Sequence, residues 1–314
     1  MSSVAIFGSG QLGTNVADIL REHGRHEVLG PFGRDARNTA LDGGATIVII
    51  ATTSRFHDVA PDIMRAIDAG SNVLVSAEEC ANPWLVDPIL ADEIDQRARK
   101  RAVTVVGAGL NPGLIFDALV ITLLGAIPRG CSIEVSRIVN IGKFGPAVLA
   151  RLGVGVGESN FRRGVEDGSI LGHAGFPQSM SIVARGLGIV IDNITEQIDP
   201  IMTSDAITLA SGETIVAGQS VGVRQTYKAF VGNEVWFTAV FDGHVQPSLL
   251  GWNPSDTIVL RRDGTVERTV VIEPGLPSQS GSQSMIANSV DRVIEATPGW
   301  LTVADLPPAA HRGI

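Results

Sequence analysis

Apolar residues in the first third of the chain fall into short runs separated by segments with helical spacing. Residues 4–7 (VAIF) form the first run. In residues 12–24 (LGTNVADILREHG), Leu12, Val16, Ile19 and Leu20 recur at the period of one helix face. A second strand pattern lies at 26–30 (HEVLG), and 45–54 (ATIVIIATTS) is β-branched and apolar enough for burial on both faces. Residues 58–70 then predict a helix that stops at Gly70, 72–77 (NVLVSA) a strand, 87–101 a helix and 102–109 (AVTVVGAG) a strand. Strand–helix alternation of this kind predicts a parallel, doubly wound sheet.

The pattern changes after residue 126. Residues 111–126 (NPGLIFDALVITLLGA) predict one apolar helix with Asn111 as cap and Pro112 at its first position. Residues 131–142 alternate like a strand, and glycine loops near 152–157 and 168–175 flank a short helix. From about 193 to 273, strand follows strand, with turn signals such as Arg262-Asp263-Gly264 between them. A polar loop (276–284) precedes a last helix in 285–296. The fold class expected is α/β: a Rossmann-type parallel domain over 1–126, to which 285–314 returns, and a second α+β domain over 127–284 with a largely antiparallel sheet.

The 314 residues, 44% of them hydrophobic, are ample for two cores. A net charge of −9 and a pI near 5.1 argue against nucleic acid as a partner. No apolar run reaches the ~18 residues of a membrane helix. The two cysteines, Cys80 and Cys131, form no metal pattern or disulfide framework. The N-terminus enters a strand without a leader-like region, so a cytoplasmic protein without a metal is expected.

Candidate chemistry gathers at strand ends. GSGQLG (8–13) places Gly8, Gly10 and Gly13, with Gln11 and Leu12 between them, where a strand gives way to a helix. That context fits a pyrophosphate-binding turn whose backbone faces the phosphates at a helix N-terminus. No acid ends the second strand to hold a ribose hydroxyl. Arg34 follows it, with Arg37 close behind, which favours NADP over NAD. The interval from Arg34 to the strand at 45 is too short for a complete helix and further strand, so that unit is abbreviated or lost. Thr52, Thr53 and Ser54 end one strand, and Asn111 follows another. In an open parallel sheet these edges hold ligands, so Thr52, Thr53, Ser54 and Asn111 are candidate cofactor contacts. Between them, NVLVSAEECANPW (72–84) ends a buried strand in two adjacent carboxylates, Glu78 and Glu79.

The segments NVLVSAEECANPW, GAGLNPGLIFD, RLGVGVGESNF, LGHAGFPQSM and DRVIEATPGWLTVADLP resemble consecutive motifs of the 2,4-diaminopentanoate dehydrogenase-like proteins. That group includes the native amine dehydrogenases and is similar in fold to dihydrodipicolinate reductase, whose own Lys-x-Asp-Ala-Pro-Ser-Gly-Thr signature is absent here. The resemblance implies NAD(P)-dependent reductive amination of a ketone or aldehyde with ammonia, or the reverse deamination of a small amine. It also implies a homodimer, a catalytic carboxylate at Glu78 or Glu79, and a substrate pocket near His173 and Phe176. Adjacent side chains of an extended chain face opposite ways. By analogy with two-domain dehydrogenases, Glu79, the last residue before the turn, is the expected working acid. A diamine substrate would call for a second acid, for which Glu158 is the candidate. Two rival expectations are an imine or carbonyl reductase of the same fold that uses no ammonia, and a non-catalytic dinucleotide sensor.

Overall fold

In the computed structural model, which describes residues 1–209 and 211–312, the first third alternates as expected. The order is β1 (Ser2–Phe7), α1 (Gln11–His23), β2 (His26–Phe32), α2 (Arg37–Asp42), β3 (Ile47–Ile50), α3 (Phe56–Asp68), β4 (Asn72–Val75), α4 (Pro88–Arg101), β5 (Thr104–Gly107) and α5 (Ala118–Leu124). Then come β6 (Cys131–Asn140), α6 (Pro146–Arg151), α7 (Glu158–Asp167) and α8 (Phe176–Leu187). The strands β7 (Asn193–Met202), β8 (Ile207–Thr208), β9 (Thr214–Ile215), β10 (Ser220–Val231), β11 (Glu234–His244), β12 (Ser255–Arg262) and β13 (Thr265–Ile272) follow, and α9 (Ser278–Ile294) and β14 (Gly299–Leu301) close the chain.

These elements form two compact units, one of residues 1–125, 177–188 and 277–314, the other of 126–176 and 189–276. In the first unit, six parallel strands run in the order β14-β5-β4-β3-β1-β2. Strands β3 and β5 are buried along their whole length because helices cover both faces. One face packs Val48, Ile50, Val73 and Val105 against Phe56, Val59 and Ile63 of α3 and Ala91, Ile94 and Ala98 of α4. The other packs Val4, Ile6, Leu74 and Val106 against Val16 and Leu20 of α1 and Ile286, Val290 and Val293 of α9. β2 is the edge strand, and between it and β3 only a short 3-10 turn and the six-residue α2 intervene. No described strand pairs outside β2, which agrees with an abbreviated first half. Among the described residues, no helix is long and apolar enough to cross a membrane.

The second unit is built on a six-stranded sheet, β13-β12-β6-β11-β10-β7, antiparallel except where β6 and β11 run parallel. β6 alternates buried and half-buried residues in the sequence Cys131–Asn140, the period of a sheet with one covered face.

Three expectations differ from the structure. The helix expected over 111–126 is regular only at Ala118–Leu124, and its cap is Asp117, not Asn111. Asp117 Oδ1 accepts from Ala118 N at 2.7 Å, and its Oδ2 accepts from Gly113 N at 2.8 Å, which fixes residues 113–117 as a turn. The polar stretch expected as a loop is helical from Ser278, where Gly281 allows the helix close to Leu110. Residues 177–188, which hold all of α8 but its first residue, belong with the first unit. Ser179 Oγ donates to Asp117 Oδ2 at 2.8 Å, and Asn82 Nδ2 donates to Ser181 Oγ at 2.9 Å.

Within the second unit, Arg137 and Asp256 are 3% and 1% exposed and meet at 2.5 Å. Together they hold Leu276, whose carbonyl accepts from Arg137 Nη2 at 2.7 Å and whose N–H donates to Asp256 Oδ2 at 2.7 Å. Removing one partner leaves a buried, uncompensated charge. Asp256→Ala should therefore lower stability by about 3–5 kcal/mol, whereas the double apolar replacement Arg137→Met with Asp256→Leu should cost much less. Denaturant midpoints of the two variants check this.

Candidate active site

The glycine loop joins β1 to α1. Gly8 has φ +121°, and a Cβ there would lie 2.1 Å from the Ala51 carbonyl oxygen. A Cβ on Gly13 would meet the Gly8 carbonyl oxygen at 2.0 Å, so α1 packs tightly on the loop. Gly10 is different: nothing lies within 4 Å of where its Cβ would be. Gly10 is also the N-cap of α1, and no side chain caps it. The first-turn N–H groups have no acceptor within the helix, and its positive end adjoins the open space at Gly10, which a pyrophosphate fits. The residues present suit a dinucleotide.

Around this loop, Gly8 N donates to Phe32 O at 3.0 Å, joining it to the end of β2. Arg34 begins the turn after β2, is exposed, and forms no ion pair among the described residues. Arg37 is committed elsewhere: it pairs with Asp62 at 2.5 Å and stands over the Phe7 ring at 5.9 Å. Beyond β3, Thr52 is exposed beside Gly8. Thr53 Oγ1 serves the entry to α3, donating to Asp58 at 3.3 Å and accepting from Arg55 N at 3.5 Å. Ser54 offers its carbonyl to Glu79 N at 3.3 Å.

The two acids follow β4 in a 3-10 turn, Glu78–Ala81, rather than in extended chain. Glu79 turns toward α3, where its Oε2 accepts from Phe56 N at 2.6 Å and meets the positive helix end. That placement goes against the preference for Glu79 as the working acid, because its carboxylate is already used as a helix cap. Glu78 lines a cavity of about 100 Å³ at the carboxyl edge of the sheet. It forms no hydrogen bond or ion pair among the described residues.

Leu12 from the glycine loop, Ser76, Asn111 and Ser282 line the same cavity. Asn111 is 8% exposed, and neither Nδ2 nor Oδ1 of its side chain has a partner among the described residues. The structure thus brings Leu12, Glu78 and Asn111 together. Asp117, six residues after Asn111, is fully buried, and burial raises its pKa despite four hydrogen bonds that oppose the shift. Sequence reading did not assign roles to Asp117, Ser76 or Ser282. An acid closing an apolar run just before a helix is a capping signal for Asp117, but nothing local marks the two serines.

In the second unit, His173 and Phe176 stand in an aromatic cluster. The His173 ring lies 5.2 Å from Phe176 and 5.4 Å from Phe241, and Phe176 lies 5.3 Å from Tyr227. Phe176 is fully buried, a core ring. His173 N donates to Gln225 Oε1 at 2.8 Å, and Gln225 Nε2 donates to Glu196 Oε1 at 2.7 Å. Because a carbonyl only accepts, His173 Nδ1 carries the proton it donates to Ala174 O at 2.6 Å, which leaves Nε2 as the acceptor. Burial, then the charges of Arg137 and Arg151, bring the His173 pKa down to about 4. Glu158, the candidate second acid, is exposed at the start of α7, 3.6 Å from Arg162.

A glycine loop of this geometry at the edge of a parallel sheet defines a class, the Rossmann-type dinucleotide-binding proteins. Solved structures share the fold. An amine dehydrogenase from Mycobacterium smegmatis matches with TM-score 0.80 and 19% identity over 99% of this chain and 97% of that one. A probable dehydrogenase from Thermotoga maritima matches with TM-score 0.51 and 13% identity over 96% and 92%. In sequence, a 2,4-diaminopentanoate dehydrogenase from Acetoanaerobium sticklandii is 29% identical over 337 residues, spanning 99% of this chain and 95% of its relative. Residues 114–313 match the 2,4-diaminopentanoate dehydrogenase C-terminal domain, and the chain belongs to that family.

The depressed His173 pKa carries a pH consequence. In the unfolded chain the imidazole binds a proton below pH about 6.5, while in the folded unit it does so only below about 4. Unfolded chains therefore bind more protons between those values, and stability falls as pH drops from about 6.5 to about 4. Urea titrations at several pH values should show that slope for the wild type and a flatter one for His173→Phe.

Proposed function

We propose that the protein catalyses NAD(P)-dependent oxidoreduction at the carbon bearing the amino group of a small amine, with Glu78 as its acid–base carboxylate. In the other direction the reaction is reductive amination of a ketone or aldehyde with ammonia. The observation that carries the reading is a partly buried carboxylate without a partner among the described residues. It stands in a cavity at the sheet edge, beside the open N-terminus of α1. Family membership supplies the amine: the curated relative is a 2,4-diaminopentanoate dehydrogenase.

When bound, the nicotinamide exchanges a hydride with the nitrogen-bearing carbon. The chain supplies everything else. The backbone at Gly10, Gln11, Leu12 and Gly13 would hold the pyrophosphate at the start of α1. Thr52, exposed beside Gly8, adds a hydroxyl on the same side. Arg34, exposed after β2 and without an ion pair among the described residues, supports a preference for the 2′-phosphate of NADP over NAD.

Glu78 takes a proton from ammonium or from the amine, returns one to the departing water, and stabilises the cationic iminium between them. A sensor of the dinucleotide would have no use for an unpaired acid in that cavity. A reductase that dispenses with ammonia differs in needing no proton taken from ammonium. The assay that separates these readings is NADPH oxidation over a panel of small ketones, with and without ammonium.

Glu78→Gln should lower turnover by roughly 10²–10⁴-fold while leaving NADPH affinity intact. Glu79→Ala should instead cost about 1 kcal/mol of stability through the lost helix cap and retain most turnover. Steady-state kinetics on both variants decide which acid works, and a dead Glu79→Ala beside an active Glu78→Gln overturns the assignment. Arg34→Ala should raise the dissociation constant for NADPH by about tenfold, the loss of one charge-assisted contact, and leave that for NADH nearly unchanged. Fluorescence titration measures both.

A further inference from the structure

Several buried polar side chains of the first unit hold an atom without a partner among the described residues, and Asn111 is the one of them that lines the sheet-edge cavity. It is 8% exposed, and both its donor and its acceptor lack a partner among the described residues. A buried amide left unsatisfied costs about 1–3 kcal/mol for each group. The sheet-edge cavity that holds it has room for only a handful of water-sized molecules, at about 100 Å³. Its remaining wall is largely apolar, with Leu12, Ala77, Ala108 and Ile286 among the lining residues. Polar groups are therefore few in it, and Glu78 is the charged one.

An occupant of this space has to be small. It must donate both to a carboxylate and to an amide oxygen, and it must tolerate apolar walls on its other sides. We propose that Glu78 and Asn111 form an ammonium-binding subsite, with the carboxylate and Asn111 Oδ1 accepting from one ammonium ion. Ammonium carries four N–H donors, enough for both acceptors. Asn111 Nδ2, a donor, is then left for an oxygen, and the oxygen the chemistry brings next to the nitrogen is that of the carbonyl to be replaced. One amide thus reads both partners of the condensation, and Glu78 takes the proton that turns bound ammonium into ammonia. This assignment rests on the amine chemistry proposed above. Asn111 becomes a substrate-binding residue rather than the helix cap and cofactor contact expected from sequence.

The test is kinetic and direct. In wild type and in Asn111→Leu, KM is measured separately for ammonium and for a ketone that the wild type accepts, together with the dissociation constant for NADPH. Loss of one charge-assisted hydrogen bond should raise the ammonium KM by about ten- to a hundredfold. NADPH affinity should change by less than about threefold, the scale expected of uninvolved neighbours. An unchanged ammonium KM with weakened NADPH binding overturns the assignment, because the amide then serves the dinucleotide.

Asn111→Asp keeps the acceptor and loses the donor, and it covers the case in which the leucine variant does not fold. Its ammonium KM should stay level or fall while its ketone KM rises; the opposite pattern overturns the proposal. A binding readout needs no turnover. Ammonium chloride should raise the wild-type melting temperature, saturably, over sodium chloride at equal ionic strength, and Asn111→Asp should keep that shift. No difference between the two salts in the wild type overturns the subsite. Wild-type protein that turns over no ketone with ammonium would sink the proposed function itself, while the salt comparison still judges this site on its own.

Discussion

The short turn Glu78–Ala81 is pressed onto the end of β5, and the direction of both acids depends on that contact. A Cβ on Gly107 would lie 2.2 Å from the Cys80 carbonyl oxygen, so only glycine lets the turn sit so close. The same carbonyl accepts from Trp300 Nε1 at 3.2 Å, and Trp300 packs edge-on against Phe56 at 5.5 Å and Trp84 at 6.2 Å. With the backbone pinned from two sides, Glu79 reaches the first turn of α3 and Glu78 lines the cavity. Cys80 is fully buried between them. Burial, then the charges of Glu79 and Glu78, push its thiol well above the ordinary range, so it acts as packing and not as a nucleophile.

The same edge distributes its negative charges by a simple rule. Helices that follow strands begin there with unsatisfied N–H groups and a partial positive charge. Three of them have an acid of their own: α3 receives Glu79, α4 receives Asp87 on Leu90 N at 3.0 Å, and α5 receives Asp117 on Ala118 N at 2.7 Å. The helix after β1 receives none, and its cap is a glycine with open space beside it. An anion from outside belongs at that position. The site is therefore defined as much by where the chain withholds a carboxylate as by where it places one.

In the second unit the buried charges are balanced differently. Arg137 has Asp256 and the Leu276 carbonyl, whereas the His173 imidazole stays neutral because it is buried, near Arg137 and Arg151, and pairs with no acid among the described residues. Its ring proton goes to Ala174 O, and its backbone N–H to the Gln225–Glu196 pair, which fixes the loop on β10.

Much of this was legible in the chain itself. Apolar periodicity determines the parallel sheet, since strands buried on both faces read as continuous β-branched runs. Spacing places the glycine loop at a strand–helix junction, and adjacent acids mark the end of β4. Sequence also shows that the interval after Arg34 is too short for another helix and strand. Side-chain direction was not legible. Whether Glu78 or Glu79 faces the cavity depends on a 3-10 turn held by Gly107 and Trp300, residues far along the chain, and local alternation does not describe such a turn. Asn111 reads as a helix cap until the hydrogen bonds of Asp117 move the helix start to residue 118. The serine-rich stretch from Ser278 is polar enough for a loop, yet packing against Leu110 and the β1–β4–β5 face makes it helix. The sequence by itself determined the order of elements and the kinds of group at each strand end. Tertiary structure decided which of those groups are used internally and which remain free, because that depends on partners that periodicity cannot see.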